Sequence, residues 1–407
     1  MRRAYERLLE YVKIYTRSDE KSETIPSTER QFSLARILKE ELVNLGLQDV
    51  KLSDTCCVYA KLPATSGLES LPCLGFLAHM DTADYEAEHV QPRILPDYDG
   101  DDVELGNGKT LRVADFPHLP SLRGKTLIVT DGSTLLGADD KAGIAEILTL
   151  CERLIREGLP HGPIAVAFTP DEEVGRGTEG FDPALFGAVW AYTVDGGAVN
   201  AVEYETFNAC GARMTFEGFN VHPGSAKNVM RNAALMAMEA NSMLPAGDTP
   251  AHTCGREGFF HLVHMEGDVE KAELDYILRD HEAARFQARK DTLQHVTELL
   301  CEKYGQGAVS LEIRDQYRNM AEKILPCMHL VENAKAAVAE LGLTPETPPI
   351  RGGTDGSALS YMGIPCPNLG TGGWAYHGPY EHIAAEDMDL AVELLLGIVR
   401  RYAVTQV

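Results

Sequence analysis

Five hydrophobic, strand-like runs of this 407-residue chain are each followed by an acidic residue or a histidine. Such runs alternate with helical stretches such as residues 141–157, an order typical of an α/β layered domain with a largely parallel sheet. Ligands of these sheets gather at the carboxyl ends of the strands, so we expect the side chains after the runs to share one site. These side chains are His79 and Asp81, Asp139, Glu172 and Glu173, Asp195, and His377.

The residue types in this set are those that bind divalent cations. Imidazole and carboxylate groups are ligands that borderline cations such as zinc prefer. The adjacent carboxylates of Glu172 and Glu173 repel each other unless a positive charge lies near them. If Glu173 binds a cation, Glu172 is left beside a cation-bound water as a candidate general base. His79 and Asp81 are two residues apart at a strand end and share a face, so Asp81 can orient the imidazole. The set predicts a two-metal hydrolytic centre.

Each motif taken alone also has a plain structural interpretation. The His-x-Asp pair fits a surface histidine beside a solvated acid, and the paired glutamates fit an exposed acidic turn. Asp140 precedes a predicted helix, and because helix capping is the commonest role of Asp at such a point, we leave it outside the metal ligands. Only the combination of motifs favours the metal centre.

Charge and cysteine content restrict the partners and the compartment. Aspartate and glutamate number 61 against 37 lysines and arginines, a net charge of -24, which disfavours nucleic acid and anionic membranes because a polyanion needs compensating cations. Residues 1–15 have the periodicity of an amphipathic helix rather than of a signal peptide. The nine cysteines, an odd number without a C-x-x-C pair, suit a reducing compartment. We therefore expect a cytoplasmic protein.

The order of predicted elements divides the chain into two domains. Residues 1–207 and 322–407 carry every candidate ligand and form the predicted catalytic, zinc-binding α/β domain. Between residues 208 and 321 the order is strand, helix (residues 226–243), strand, strand, helix, strand, which matches the split βαβ, or ferredoxin-like, α+β sandwich. This second domain is predicted to be an insertion. Residues 83–123 are rich in Pro, Asp and Gly and predict an extended loop or a small hairpin.

Several motifs together resemble a known family of enzymes. They occur in the order HMDT, TLLGADDKAG, FTPDEEVGRG, YTVDGG, HPGSAK, IRGGTDGS and CPNLGTGG followed by HGPYE, and they span residues 79–381. They are similar to the di-zinc metallopeptidase family that includes acetylornithine deacetylase and succinyl-diaminopimelate desuccinylase, and within it to the tripeptide aminopeptidases. The resemblance implies that the N-terminal residue of a tripeptide is removed by a hydroxide that bridges two zinc ions.

The resemblance also implies a role for each residue of the centre. Asp139 would bridge two Zn²⁺ ions in each subunit, with Mn²⁺ or Co²⁺ as possible substitutes. The other metal ligands would be His79 and Asp195 on one ion, and Glu173 and His377 on the other. The implied catalytic residues are Asp81, which would orient His79, and Glu172, the general base.

Roles in substrate binding and assembly are implied for the insertion. It would act as a lid and support a homodimer, and the partner of the site would be a small peptide. His222 would hold the developing oxyanion. Arg279 would meet the peptide's free carboxylate, a natural partner for a bidentate guanidinium, and Arg351 is a second candidate for that role. The structural alternatives are a loop histidine that ends a strand and, for the arginines, surface salt bridges.

Two other functions stay open at this point. An N-acyl amino acid deacylase or a dipeptidase of the same superfamily would use the same centre on a differently blocked nitrogen. A non-catalytic, metal-dependent binding protein could keep the ligands without Glu172 or Asp81, and both residues are present. Residues 374–376 and 379–380 depart from the family's pattern, which leaves the substrate preference open.

Overall fold

The computed structural model describes residues 1–404 and contains two compact units. The first comprises Met1–Tyr204, Glu322–Pro348 and the chain from Thr354, and the second comprises Glu205–Ala321 and Pro349–Gly353. Residues 349–353, which the sequence places in the first domain, lie in the second unit. The segment lies in the second unit because its backbone pairs there: the Ile350 amide donates to the carbonyl of Glu205 at 2.9 Å.

Helices and strands are numbered along the chain. The helices are α1 (Ala4–Tyr11), α2 (Gln31–Leu45), α3 (Ala138–Glu157), α4 (Pro183–Phe186), α5 (Ala233–Ser242), α6 (Ala283–Tyr304), α7 (Ala321–Ile324), α8 (His329–Glu340), α9 (Asp355–Tyr361) and α10 (Ala385–Val404). The strands are β1 (Gln48–Leu52), β2 (Val58–Leu62), β3 (Leu74–His79), β4 (Arg93–Leu95), β5 (Val103–Gly106), β6 (Lys109–Leu111), β7 (Leu127–Val129), β8 (Ile164–Thr169), β9 (Trp190–Val194), β10 (Val202–Glu203), β11 (Asn208–Glu217), β12 (Phe259–Gly267), β13 (Lys271–Asp280), β14 (Val309–Tyr317), β15 (Asn368–Leu369), β16 (Gly373–Trp374) and β17 (His382–Ala384). Within residues 1–404, every helix is too short or too polar to cross a lipid bilayer.

The first unit is built on a seven-stranded sheet in the order β1-β2-β8-β3-β9-β15-β10. Its central strands β8, β3, β9 and β15 are parallel, whereas β1, β2 and β10 pair antiparallel towards the two edges. Strands β3 and β8 are buried along their whole length, as expected of parallel strands covered by helices. The predicted α/β class is confirmed, with a sheet that is parallel at its centre.

Helix α3 packs directly on this sheet, against β3 and β9. A Cβ atom added at Gly143 would lie 1.8 Å from the carbonyl oxygen of Val194, so only glycine permits the close approach of α3 to the end of β9. Asp139 is at the start of α3, and Asp195 directly follows β9. The packing therefore brings these two acids to one edge of the sheet.

A smaller sheet in the same unit has the order β16-β17-β7-β4. The segment 83–123, predicted to be a loop or small hairpin, contains β4 and the β5–β6 hairpin. Its apolar residues Tyr98, Leu105 and Leu119 form a core with Leu127 of β7. This segment is therefore held in place by its own hydrophobic contacts.

The second unit has the order β11-α5-β12-β13-α6-β14 and one antiparallel sheet in the order β12-β13-β11-β14. Helices α5 and α6 pack on this sheet over a core that includes Phe216, Leu274 and Leu293. The unit is the predicted ferredoxin-like sandwich. Its first helix begins at Ala233 rather than at residue 226, because the Asn232 side chain caps it by accepting a hydrogen bond from the Leu235 amide.

Candidate metal centre

The candidate ligands of the first unit converge at the carboxyl ends of its central strands, although they are far apart in the sequence. Each is supplied by the end of a strand, the start of a helix or a turn. His79 is the last residue of β3, Asp195 follows β9, Glu172 and Glu173 form a 3-10 turn after β8, Asp139 starts α3, and His377 lies between β16 and β17.

The carboxylate of Asp139 lies between two imidazoles. Its Oδ1 atom is 2.9 Å from His79 Nε2, and its Oδ2 atom is 3.0 Å from His377 Nε2. His79 Nε2 is also 3.7 Å from Asp195 Oδ1, and His377 Nε2 is 3.0 Å from Glu173 Oε2. The structure thus brings these side chains together in two adjacent groups that share Asp139.

Burial makes this concentration of carboxylates costly. Burial, together with neighbouring acids, raises the pKa of Glu172 and of Asp195 well above the ordinary values. Burial opposes protonation of His79, but the surrounding carboxylates, Asp195 first among them, outweigh it and raise the pKa of the imidazole. Hydrogen bonds to Asp139 and Glu173 raise the pKa of His377 to about 11. The cluster therefore needs compensating positive charge.

Divalent cations would supply that charge. Two sets of donor atoms each lie within 4.8 Å of one another: His79 with Asp139 and Glu173, and His79 with Asp140 and Asp195. Among the residues that the structure describes, Glu173 Oε1 is buried and lacks a hydrogen-bond partner, so it is available as a ligand atom. Ligating imidazoles must be neutral, so cations would replace the protons that the carboxylates otherwise draw onto the histidines. The donor set fits a metal centre.

Asp140 has a structural role beside the centre. Its backbone angles are not helical, and its carboxylate accepts a hydrogen bond from the Gly143 amide at 3.2 Å, as a helix cap does. It also accepts one from the His79 amide at 3.2 Å. These contacts support the capping interpretation made from the sequence.

Asp81 contacts both His79 and the turn of the paired glutamates. His79 Nδ1 lies 3.1 Å from the Asp81 backbone carbonyl oxygen and 3.4 Å from its Oδ1 atom. The same carboxylate accepts hydrogen bonds from the backbone amides of Glu172 and Glu173, at 3.0 and 3.2 Å. The second set of contacts could not be inferred from the sequence.

The predicted substrate residues lie in the second unit and differ in their contacts. His222 is exposed, and its Nδ1 atom accepts a hydrogen bond from the Gly224 amide. In the neutral imidazole the proton is then on Nε2, which can donate a hydrogen bond. The guanidinium of Arg279 lies 5.3 Å from the centre of the Tyr317 ring. Its Nε atom is buried and has no hydrogen-bond partner within residues 1–404.

Arg351, by contrast, is engaged within its own unit. Its Nη1 atom donates to the carbonyls of Gly255 and Glu257 at 2.8 and 2.9 Å. Its Nη2 atom contacts the carbonyl and the hydroxyl of Thr253. The side chain fixes a loop rather than forming the surface salt bridge weighed from the sequence. Its role with substrate stays a prediction.

Two buried carboxylates near the ligands were missed by sequence analysis. Asp171 accepts hydrogen bonds from the Ser27 amide and from Gln31 Nε2, both at 2.6 Å. Glu381 accepts hydrogen bonds from backbone amides of the turn that precedes Asp139. Both acids stand close to a ligand in the sequence, which was the only signal available.

An α/β unit with imidazole and carboxylate groups at its strand ends, interrupted by a ferredoxin-like insertion, is the arrangement of a hydrolase with a candidate metal centre. A family model described as Peptidase family M20/M25/M40 matches residues 131–401. The chain belongs to this peptidase family.

Similar proteins extend over the whole chain. A protein named Peptidase T from Alkaliphilus oremlandii is 48% identical over 408 residues, covering 99% of this chain and 100% of the relative. Peptidase T from Geobacillus kaustophilus is 50% identical over 401 residues, covering 98% and 97%. The resemblance inferred from the motifs is confirmed.

Solved structures share the fold. Aminopeptidase PepT from Bacillus cereus superposes with a TM-score of 0.79 at 23% identity, covering 98% of both chains. The YXEP protein of Bacillus subtilis, described as a dinuclear metal binding peptidase from the M20 family, gives a TM-score of 0.65 at 12% identity, covering 98% of this chain and 97% of that one.

Proposed function

We propose that this chain is a metallo-aminopeptidase that removes the N-terminal residue from tripeptides with two Zn²⁺ ions per subunit. One observation carries the proposal: the two oxygens of Asp139 face the imidazoles of His79 and His377, from opposite parts of the sequence. A single carboxylate between two ligand groups could serve both cations of a two-metal site. The relatives named Peptidase T support the choice of substrate.

The residues of the first unit divide into two ligand groups. His79 and Asp195 would hold one cation, Glu173 and His377 the other, and Asp139 both. When bound, the cations supply Lewis-acid polarisation of the scissile carbonyl and acidify a water towards a pKa of about 7. Mn²⁺ or Co²⁺ could replace Zn²⁺, because such ligands do not exclude them.

Glu172 would be the general base of the reaction. Its carboxylate would accept a proton from the attacking water and pass it to the departing amine. Asp81 would act as a positioning residue, since its carboxylate holds the backbone amides of Glu172 and Glu173 while its carbonyl contacts His79. One residue would thereby hold both the general base and a metal ligand in position.

The second unit would supply groups for the substrate. Arg279 has a buried Nε donor without a hydrogen-bond partner in the described part of the chain, and it would receive the free carboxylate of the tripeptide. His222 would stabilise the developing oxyanion through its Nε2 proton. Arg351 is the weaker candidate because carbonyl groups already occupy its Nη donors. The proposal includes a cytoplasmic homodimer in which this unit is the lid and the dimerisation domain.

Product analysis by mass spectrometry tests the function. Free, N-acetylated and C-terminally amidated versions of one tripeptide are incubated with the protein, with and without a chelator, beside a matched dipeptide. We expect loss of the N-terminal residue from the free tripeptide, no cleavage after N-acetylation, and recovery when zinc is returned after chelation. Cleavage that requires the acyl group would identify a deacylase, preference for the dipeptide a dipeptidase, and absence of any product a binding protein.

A further inference from the structure

Glu381 is a buried carboxylate that accepts three hydrogen bonds from the backbone of a distant turn. Its side chain is 1% exposed. Its Oε2 atom accepts from the amides of Leu136 and Gly137, both at 2.7 Å, and its Oε1 atom accepts from the Asp139 amide at 2.9 Å. A backbone amide that loses its acceptor inside the protein costs stability, so three such bonds to one carboxylate restrain the turn strongly. The turn that carries Asp139 is therefore fixed by Glu381.

These bonds also connect the loop that carries His377 to the turn that carries Asp139. Glu381 lies four residues after His377, and its own amide donates to the Gly378 carbonyl at 3.3 Å, which closes a turn. The carboxylate thus ties the loop of His377 to the turn of Asp139. His377 Nε2 and Asp139 Oδ2 are 3.0 Å apart at this junction.

The other side of the same loop is also anchored. The hydroxyl of Tyr376 donates to the carbonyl of Gly196 at 2.9 Å, next to Asp195. The loop between β16 and β17 is therefore attached to the two turns that carry Asp139 and Asp195. Neither attachment involves a metal ion, because each is a hydrogen bond between a side chain of the loop and backbone groups of a turn.

We infer that Glu381 is a positioning residue that sets the separation of His377 and Asp139, so that both can bind the same cation. The inference rests on the proposed function, because it assigns Glu381 a role towards that metal centre. The His377 side chain is 56% exposed, so its position depends on the loop that carries it. Without Glu381, three amides, two of them in buried hydrogen bonds, would lose their acceptor and the loop would no longer be held against the Asp139 turn.

Zinc affinity measured on the full chain tests this inference without any substrate. The variant is Glu381→Gln, which keeps the shape but presents an amide group to backbone N–H donors. The control is Glu152→Gln. Glu152 is also a buried carboxylate and lies on the same helix as Asp139, 13 residues further along the chain, where it pairs with Arg7. Competition with a chromophoric chelator gives the dissociation constants, and circular dichroism checks that each variant is folded.

We expect Glu381→Gln to bind zinc about 10 to 100-fold more weakly, and Glu152→Gln to bind it as the unchanged chain does. At saturating zinc, kcat should fall while KM stays close to its original value. If Glu381→Gln does not fold, Tyr376→Phe removes the other anchor and should weaken zinc binding by a smaller factor. Unchanged affinity in the folded variants, or an equal loss in Glu152→Gln, would overturn the inference. An unsubstituted chain that binds no zinc would instead overturn the proposed function, and the inference with it.

Discussion

The carboxylate of Asp81 accepts a hydrogen bond from the backbone amide of Glu172 at 3.0 Å. Asp81 is completely buried, and it follows His79 by two residues at the end of β3. A metal ligand and the proposed base are therefore linked through one side chain. Groups in this position commonly control the orientation of the residues that bind metal.

Replacing Asp81 by Asn should reduce zinc affinity or kcat by about 10 to 100-fold. The amide group of Asn can accept only one of the two hydrogen bonds from the glutamate turn, so the base and His79 lose their common support. Chelator competition and steady-state kinetics measure the two effects. Asp84→Asn is the control, because Asp84 is exposed and contacts Arg17 at the surface. Equal behaviour of the two variants would contradict the role of Asp81.

Replacing Glu172 by Gln should preserve metal content but lower kcat by about 100 to 10,000-fold, the usual contribution of a general base. Gln cannot accept a proton, whereas the ligands His79 and Glu173 are untouched. Elemental analysis of the purified variant and its turnover of a free tripeptide provide the two measurements. Near-normal turnover with full metal content would remove Glu172 from the mechanism.

Replacing Arg279 by Met should raise KM for free tripeptides by about 10-fold or more, since a hydrogen bond to a charged group contributes about 1.5–3 kcal/mol. The KM for C-terminally amidated tripeptides should barely change, because they lack the carboxylate. Arg213→Met is the control on the neighbouring strand β11, where Arg213 pairs with Asp275. A similar rise for free and amidated peptides would argue against carboxylate recognition.

Replacing Glu146 by Gln should raise the free energy of unfolding, and this effect should become larger as the pH rises. Glu146 is fully buried in α3, and both of its carboxylate oxygens lack a hydrogen-bond partner within the described part of the chain. Burial, and then the charges of Asp387 and Asp389, raise its pKa well above the ordinary value. Below the unfolded pKa of about 4.3 the carboxyl is protonated in both states, so its ionisation costs no stability. Above that pH the unfolded chain releases the proton first, and the free energy of unfolding falls until the folded pKa is passed.

The increase in the free energy of unfolding caused by Glu146→Gln should therefore be small at pH 5 and grow by up to about 1.4 kcal/mol per pH unit above it. Urea unfolding at a series of pH values measures the difference from the unsubstituted chain. Glu152→Gln should behave in the opposite sense. Burial opposes ionisation of Glu152, but its hydrogen bond to Arg7 outweighs this and lowers its pKa, so the substitution removes stability at neutral pH. A gain for Glu146→Gln that does not depend on pH would show that Glu146 is not a buried neutral acid.

The sequence predicts the fold well where apolar patterns are continuous. Strands β3 and β8 consist of uninterrupted buried residues, so their existence and type are clear. Helix α5 is predicted to start too early because its boundary depends on a single cap, Asn232, and not on hydrophobic periodicity. The pairing of residues 349–353 with the second unit depends on backbone hydrogen bonds, which no side-chain pattern reports.

The same distinction applies to the site. His79, Asp139 and Asp195 follow strand-like runs and have side chains typical of metal ligands, so their convergence is predictable. Glu381 acts on backbone amides more than 240 positions earlier in the chain, and an acid in a loop gives no indication of such a partner. For Arg351 the sequence carries a signal that the contacts do not match. Its guanidinium could bind a carboxylate, but it donates hydrogen bonds to carbonyl groups of its own unit.

The second unit interrupts the first between Tyr204 and Glu322. Most contacts of the second unit join residues within one nearly continuous segment, whereas the first unit must bring β15 against β9 across the whole insertion. Closing so long a loop carries an entropic cost that must be met before strand pairing compensates for it. We expect pulse-labelled hydrogen exchange to detect protection in β11–β14 before β15 during refolding, and the reverse order would contradict this. The hydrolytic centre would then be among the last parts of the molecule to form, so a partly folded chain would have no peptidase activity.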